Sequence, residues 1–174
     1  MAAKSTQDVF ANIAYLDATE SVAGTLTFAQ LAMSSNLIGE KYAIIIHKAE
    51  ARQHNPYSDF NSSGDVARYA LTVTNSITDI TDLAQPEILF YADIARVDLG
   101  AAASGLFISR PWIRDFMDLP GGGLLVPADR LYLGVQGVGL ANVLRMSMRL
   151  YYSVKQLSTE DYWELIEARR VMRT

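Results

Sequence analysis

Between Leu131 and Val154 the chain alternates apolar and polar residues so regularly that extended strands are the natural way to satisfy the pattern. Leu144, Met146, Met148 and Leu150 fall on one side of the second run, and Arg145, Ser147, Arg149 and Tyr151 on the other. That is the period of two a strand imposes. A helix with 3.6 residues per turn would scatter both sets around its circumference. Two such runs, joined at Gln136-Gly137-Val138-Gly139, set the expectation of a β-sheet protein with one dry face. Any function has to be one that such a sheet can perform, and no catalytic motif lies on these strands.

The chain has 174 residues, enough for one domain that buries roughly 70% of its unfolded surface without staples. It has no cysteine, which excludes structural disulfides, thiolate metal sites and cysteine nucleophiles together. The net charge of −4 argues against a chain that wraps nucleic acid. Lys4 is the sole basic residue before Lys41, so there is no polybasic N-terminal arm, although Arg169, Arg170 and Arg173 cluster at the other end. No apolar run approaches the ~20 residues of a membrane span, and Met1 to Phe10 lacks the basic start and apolar middle of a signal peptide. The expectation is a soluble, unprocessed chain with no transmembrane segment.

Along the sequence, Ser5-Thr6-Gln7-Asp8 opens like a capping box, and Val9, Ile13 and Leu16 follow at helical spacing. A short N-terminal arm with a helix to about Asp17 is therefore expected within residues 1–19. Strands are expected over Ser21–Phe28, Lys41–Gln53, Val66–Thr74, Glu87–Val97, Gly105–Arg110, Leu124–Val126 and the two alternating runs, with Trp112–Asp118 a further strand or a packed loop. Ala43 to Ile46 is a continuous apolar block suited to a central strand. About eight strands with no helical pattern between them favour an antiparallel sandwich over residues 20–157, and eight is the number in a jelly roll. The immunoglobulin-like sandwich competes, without its cysteine or tryptophan framework here. Ser158-Thr159-Glu160-Asp161 then reads as an N-cap, which predicts an amphipathic helix over 158–174 with Tyr162, Leu165, Ile166 and Arg169 along one side.

Candidate sites divide by what their spacing can do. Asp59-Phe60-Asn61-Ser62-Ser63-Gly64-Asp65 begins like a calcium loop, but Ala70 stands where a bidentate glutamate is needed, so a polar surface loop is expected. Asn61-Ser62-Ser63 is a glycosylation sequon with no signal peptide to give it meaning. His47 and His54 with Glu50 between them could serve a cupin-type metal site, yet an odd separation turns the histidines to opposite sides of one strand unless a bulge intervenes. A Ser-His-Asp arrangement has no Gly-x-Ser-x-Gly elbow to recommend it. Gly121-Gly122-Gly123 lacks the Lys-Ser/Thr of a phosphate loop and reads as a flexible turn. Tyr132, Tyr151, Tyr152, Tyr162 and Trp163 suit core or subunit-contact positions better than sugar stacking. Arg145 and Arg149 flank Ser147 on a polar strand face, and become intersubunit ion-pair candidates if that face is covered.

The strand count, the terminal extensions and the segment Gly123-Leu124-Leu125-Val126-Pro127-Ala128-Asp129-Arg130-Leu131-Tyr132-Leu133-Gly134-Val135 together resemble the viral single jelly-roll capsid proteins. The resemblance covers most of the chain and is architectural. It implies two four-stranded sheets, subunits packed side by side into a shell, and terminal segments that run beneath the shell or clasp neighbours. The expected function is thus that of a structural coat subunit in a virion, with no enzymatic activity and no cofactor. Its partners would be copies of itself and other virion proteins, with weak or no direct nucleic-acid binding because the usual basic arm is missing. Tyr162, Trp163, Leu165, Ile166, Arg145 and Arg149 are the subunit-interface candidates, and Arg169, Arg170 and Arg173 the candidate inner-surface cluster. A composition that is 50% hydrophobic leaves apolar surface that such packing would bury. Two other classes compete: a trimeric β-sandwich that binds a carbohydrate or receptor, and a cupin-like enzyme.

Overall fold

In a computed structural model, residues 12–31, 42–96, 112–119, 122–127, 130–161, 163, 164 and 167 are described. Among them the strands are β1 (Asn12–Thr19), β2 (Thr27–Gln30), β3 (Tyr42–Gln53), β4 (Val66–Thr72), β5 (Ile88–Ala95), β6 (Trp112–Asp115), β7 (Leu124–Pro127), β8 (Tyr132–Val138) and β9 (Arg145–Gln156). A single helical turn, α1 (Pro56–Asp59), follows β3. The strands form two antiparallel sheets, an all-β sandwich. One sheet runs in the order β1-β9-β3-β6, with β7 also on β3, and the other in the order β2-β8-β4-β5.

The pairings nest. β1 pairs with β9, β2 with β8, β4 with β5, and β3 with both β6 and β7. β6 lies along Lys48 to Ala51 of β3, and β7 along Ala43 to Ile46. The ladders β3 with β9 and β4 with β8 then complete the two sheets.

Alternation dictates what lies between the sheets. Leu144, Met146, Met148 and Leu150 are all but fully buried, beside Ile44, Ile46, Ala49 and Ala51 and in one core with Tyr69, Leu71, Leu133 and Val135. Each large side chain removed from water contributes roughly 1.5–3 kcal/mol. A bulge falls between Ile46 and Lys48, so the inward residues of β3 change from Ile44 and Ile46 to Ala49, Ala51 and Gln53. The outer face of the β2-β8-β4-β5 sheet carries a second small core, where Ile77 and Ile80 of the connecting segment pack with Ala70 against Leu26, Phe28, Ile88 and Tyr91. A side chain at position 134 would meet the Phe28 ring at 2.7 Å, which is why glycine stands there.

Several expectations change. Residues 12–19 are strand β1, where a helix to about Asp17 was expected, because Leu16 and Ala18 turn inward against Met148 and Met146. The sandwich therefore includes residues assigned to the N-terminal arm; Val9 lies outside the described residues. The strand expected over Ser21–Phe28 is confined to Thr27–Gln30. β8 continues through Val138, and the two alternating runs, β8 and β9, belong to different sheets. The strand expected at Gly105–Arg110 lies outside the described residues. Residues 159–161, 163, 164 and 167 are helical, and the Asp161 amide donates to Ser158 Oγ at 3.1 Å.

Glu20 ties the two sheets together at the end where β1, β8 and β9 meet. Its carboxylate is 3% exposed and accepts from the amides of Gly137 at 2.6 Å, Leu144 at 2.6 Å and Gly24 at 3.2 Å. Glu20→Ala leaves the Gly137 and Leu144 amides buried without acceptors, and is expected to cost about 3 kcal/mol of unfolding free energy. Denaturant titration measures this, and a loss below about 1 kcal/mol would show that water replaces the carboxylate.

Tyr69 presents the opposite case. Its ring is fully buried, edge-on to Phe90 and Trp112 at centroid distances of 6.0 and 6.3 Å, and its hydroxyl has no hydrogen-bond partner among the described residues. Burial pushes the phenol well above its usual range. Removing a partnerless buried hydroxyl costs nothing, so Tyr69→Phe is expected to hold or raise stability by up to about 2 kcal/mol in the same titration. A clear loss would reveal a partner for the hydroxyl.

Candidate functional site

The outward residues of β1, β9 and β3 form a polar surface. Antiparallel register sets them in rows: Ile13, Tyr151 and Lys48; Tyr15, Arg149 and Glu50; Asp17, Ser147 and Arg52. Ser147 is the shortest side chain among its neighbours, and a cleft of about 470 Å³ opens over it, lined by Tyr15, Asp17, Glu50, Arg52, Ser147 and Arg149 among others.

Two ion-pair clusters flank the cleft. Asp17 receives Arg145 Nη2 at 2.6 Å and the Ser147 hydroxyl at 2.9 Å. The Arg145 guanidinium beside Asp17 is the main cause holding its carboxyl below the usual aspartate range. Glu50 pairs with Lys48 at 2.6 Å, accepts the Tyr151 hydroxyl at 3.3 Å and lies 3.8 Å from Arg149. Lys48 lowers the Glu50 pKa and is itself raised by it. Arg149 lies over the Tyr15 ring, 5.3 Å from its centroid, and donates to the Tyr151 hydroxyl at 3.3 Å. Arg52 is exposed and has no hydrogen bond or ion pair among the described residues. These are surface pairs, strongly screened by water and salt. They shape the face far more than they stabilise the fold.

The two arginines expected at a subunit contact, Arg145 and Arg149, therefore both lie on this face with partners inside the chain. Trp163 is 58% exposed on the C-terminal helical residues. Tyr162, Leu165, Ile166, Arg169, Arg170 and Arg173 lie outside the described residues. Tyr132 is buried, Tyr152 packs against the core, and Tyr151 belongs to the polar face.

The histidines need a correction. Their odd separation is offset by the bulge at His47, and both reach outward residues of β9. His47 Nδ1 donates to the Gly122 carbonyl at 2.9 Å, which leaves Nε2 to accept from Ser153 Oγ at 2.9 Å in the neutral ring. His54 Nε2 reaches the Ser147 hydroxyl and lies 3.2 Å from Asp17 Oδ1. The two rings thus serve separate partners, Glu50 is taken by Lys48, and no group of three metal-ligating side chains forms among the described residues. Ser147, His54 and Asp17 do come together, yet without relay geometry: serine and carboxylate both meet Nε2, and Ser147 bonds Asp17 directly. A nucleophilic triad instead needs the carboxylate on Nδ1.

The loop that resembles a calcium site is held by its own carboxylates. Asp65 Oδ2 accepts from the amides of Asn61 and Ser62, each at 2.7 Å, and Oδ1 accepts the Ser62 hydroxyl at 2.9 Å. Asp59 is buried, accepting Gln53 Nε2 at 2.9 Å. Gly139, at φ +73°, passes so close that a side chain there would meet Asp65 Oδ1 at 2.6 Å. Gly123 carries the chain tightly past β3, since a Cβ there would stand 2.9 Å from the Ile46 carbonyl, while Gly122 turns the chain at φ +74°. Neither Glu20 nor Arg52 carries a sequence signal, because their roles depend on strands distant in the chain.

No helix among the described residues is long and apolar enough to cross a membrane. Comparison with protein-family models found no match, and comparison with curated proteins found none either.

The Ser62 amide, foremost among its hydrogen bonds, holds Asp65 below the ordinary aspartate value of 3.8. Its charged form therefore adds stability that is full above about pH 4 and is lost as pH falls through the depressed folded-state value. The stability difference between wild type and Asp65→Asn is expected to shrink below about pH 4, as read by unfolding titrations across pH. A difference constant from neutral to strongly acid pH would show that the charge contributes nothing.

Proposed function

We propose that this chain is a structural coat subunit of the single jelly-roll type, which builds a viral shell with copies of itself. The observation that carries the reading is the nesting of the strand pairings, first with last and second with eighth, down to β4 with β5. One long antiparallel hairpin rolled onto itself has this pattern and yields the two facing sheets of a jelly roll. β6 and β7 share one edge of β3, so the reading takes them together as one strand position.

Exposed apolar side chains support association. Ile13, Tyr15, Ile113 and Leu125 are exposed on the outward side of the β1-β9-β3 sheet and its edge strands. Contact between copies would bury them. The role proposed is non-catalytic, in a virion, with other virion proteins as further partners and little direct contact with nucleic acid. A trimeric carbohydrate- or receptor-binding module is the second reading, favoured by the cleft beside the exposed Tyr15.

Size-exclusion chromatography with negative-stain microscopy of the purified chain tests the proposal. Closed particles or capsomers are expected as protein concentration rises. A protein that stays monomeric at every concentration would reject it, and a discrete trimer that binds glycans would select the second reading.

A further inference from the structure

Charge is segregated along this chain. Between Arg68 and Arg96 there is no lysine or arginine, while Asp79, Asp82, Glu87 and Asp93 fall in that interval. Its middle rides on the outer face of the β2-β8-β4-β5 sheet, anchored by the buried Ile77 and Ile80. Asp79, Asp82 and Leu83 are exposed, Leu83 at 71%. Asp79 Oδ1 accepts from the Thr81 amide at 2.8 Å and hydroxyl at 2.7 Å; Asp82 accepts from the Ala84 amide and Gln85 Nε2, each at 3.1 Å. These bonds fix the turns and leave both carboxylates exposed, although Arg68 on the same face of β4 lies close enough to attract Asp79. The result is a ridge with an apolar tip and two carboxylates, ordered before any partner arrives, which lowers the entropy cost of docking.

The cleft over Ser147, on the other sheet, is its complement. Asp17 is matched by Arg145 and Glu50 by Lys48, each pair at 2.6 Å. Two carboxylates against four cations leave the cleft a positive surplus, carried by Arg52 and by Arg149, whose contact with Glu50 is a long 3.8 Å, with the Tyr15 ring 67% exposed beside them.

We propose that the cleft of one copy receives the 79–83 ridge of the next, with Leu83 against Tyr15 and the Asp79 and Asp82 carboxylates against Arg52 and Arg149. This rests on the self-assembly reading and names the contact. The two patches lie on different sheets of one sandwich, so the contact is heterologous: each copy gives a ridge and accepts one, which generates rings or a curved lattice. Opposite charges guide the register, and like charges there block it.

Charge reversal tests the contact by sedimentation velocity and negative-stain microscopy. Arg52→Glu with Arg149→Glu makes a cleft-reversed protein, and Asp79→Lys with Asp82→Lys a ridge-reversed one. Each alone is expected to need at least about 10-fold more protein to associate than wild type. Mixed in equal amounts they should assemble again, because every cleft then meets a ridge of opposite charge. Thermal unfolding checks that each variant folds, and if a double variant does not, Arg52→Glu and Asp82→Lys carry the same test singly. If wild type assembles and neither reversal weakens it, or the mixture fails to recover, this contact is wrong while self-assembly stands. If wild type never associates, the self-assembly reading fails with it.

Discussion

The ladder between β3 and β9 carries eleven paired residues, and both strands are twelve residues long. On its inner side it sets the aliphatic row of β9 beside Ile44, Ile46, Ala49 and Ala51, which forms the floor of the main core. On its outer side the same register sets Arg149 opposite Glu50 and Ser147 opposite Arg52. One backbone ladder thus determines both the burial that holds the protein together and the polar face it presents. A slip of one residue would exchange the two faces and bury the charges, so the hydrophobic core enforces the geometry of the cleft.

The bulge at His47 is what lets such a long strand serve two partners. Before it, β3 pairs with β7; after it, with β6, and the chain leaves the sheet edge between them. His47 closes the gap from both directions: its carbonyl accepts the Phe116 amide at 2.8 Å, and its ring bonds Gly122 and Ser153. The residue that looked like a metal ligand is engaged in joining the sheet to its excursion.

How much of this was legible follows from how local each determinant is. β8 and β9 could be read because period-two burial is written in consecutive residues, and β3 because Ala43 to Ile46 form a continuous apolar block. β1 could not, since Ile13 and Leu16 fit a helix stripe as well as Leu16 and Ala18 fit a strand, and only the facing Met146 and Met148 decide. The separation of β8 from β9 was equally hidden. Alternation marks two strands, but the six residues from Gly139 to Leu144 take the chain across to the other sheet, and it is Glu20, more than a hundred residues away, that holds that crossing. The cleft was legible only as Arg145 and Arg149 on a polar strand face. Tyr15, Asp17, Glu50 and Arg52 join them through two long-range ladders with no local trace.

The distribution of charge bears on how copies of this chain could meet, if the proposed self-association holds. A chain of net charge −4 repels its own copies unless contact brings unlike patches together. A two-fold contact through the 79–83 ridge would set Asp79 and Asp82 against their own equivalents, and one through the cleft would oppose Arg52 and Arg149 to themselves. Both place like charges together, which is costly as solvent leaves. A head-to-tail contact pairs the surplus cations of one sheet with the carboxylates carried by the other. On the proposed contact, the cation surplus beside Asp17 and Glu50 on one sheet and the Asp79 and Asp82 carboxylates on the other, with Arg68 near Asp79, would favour head-to-tail over isologous association.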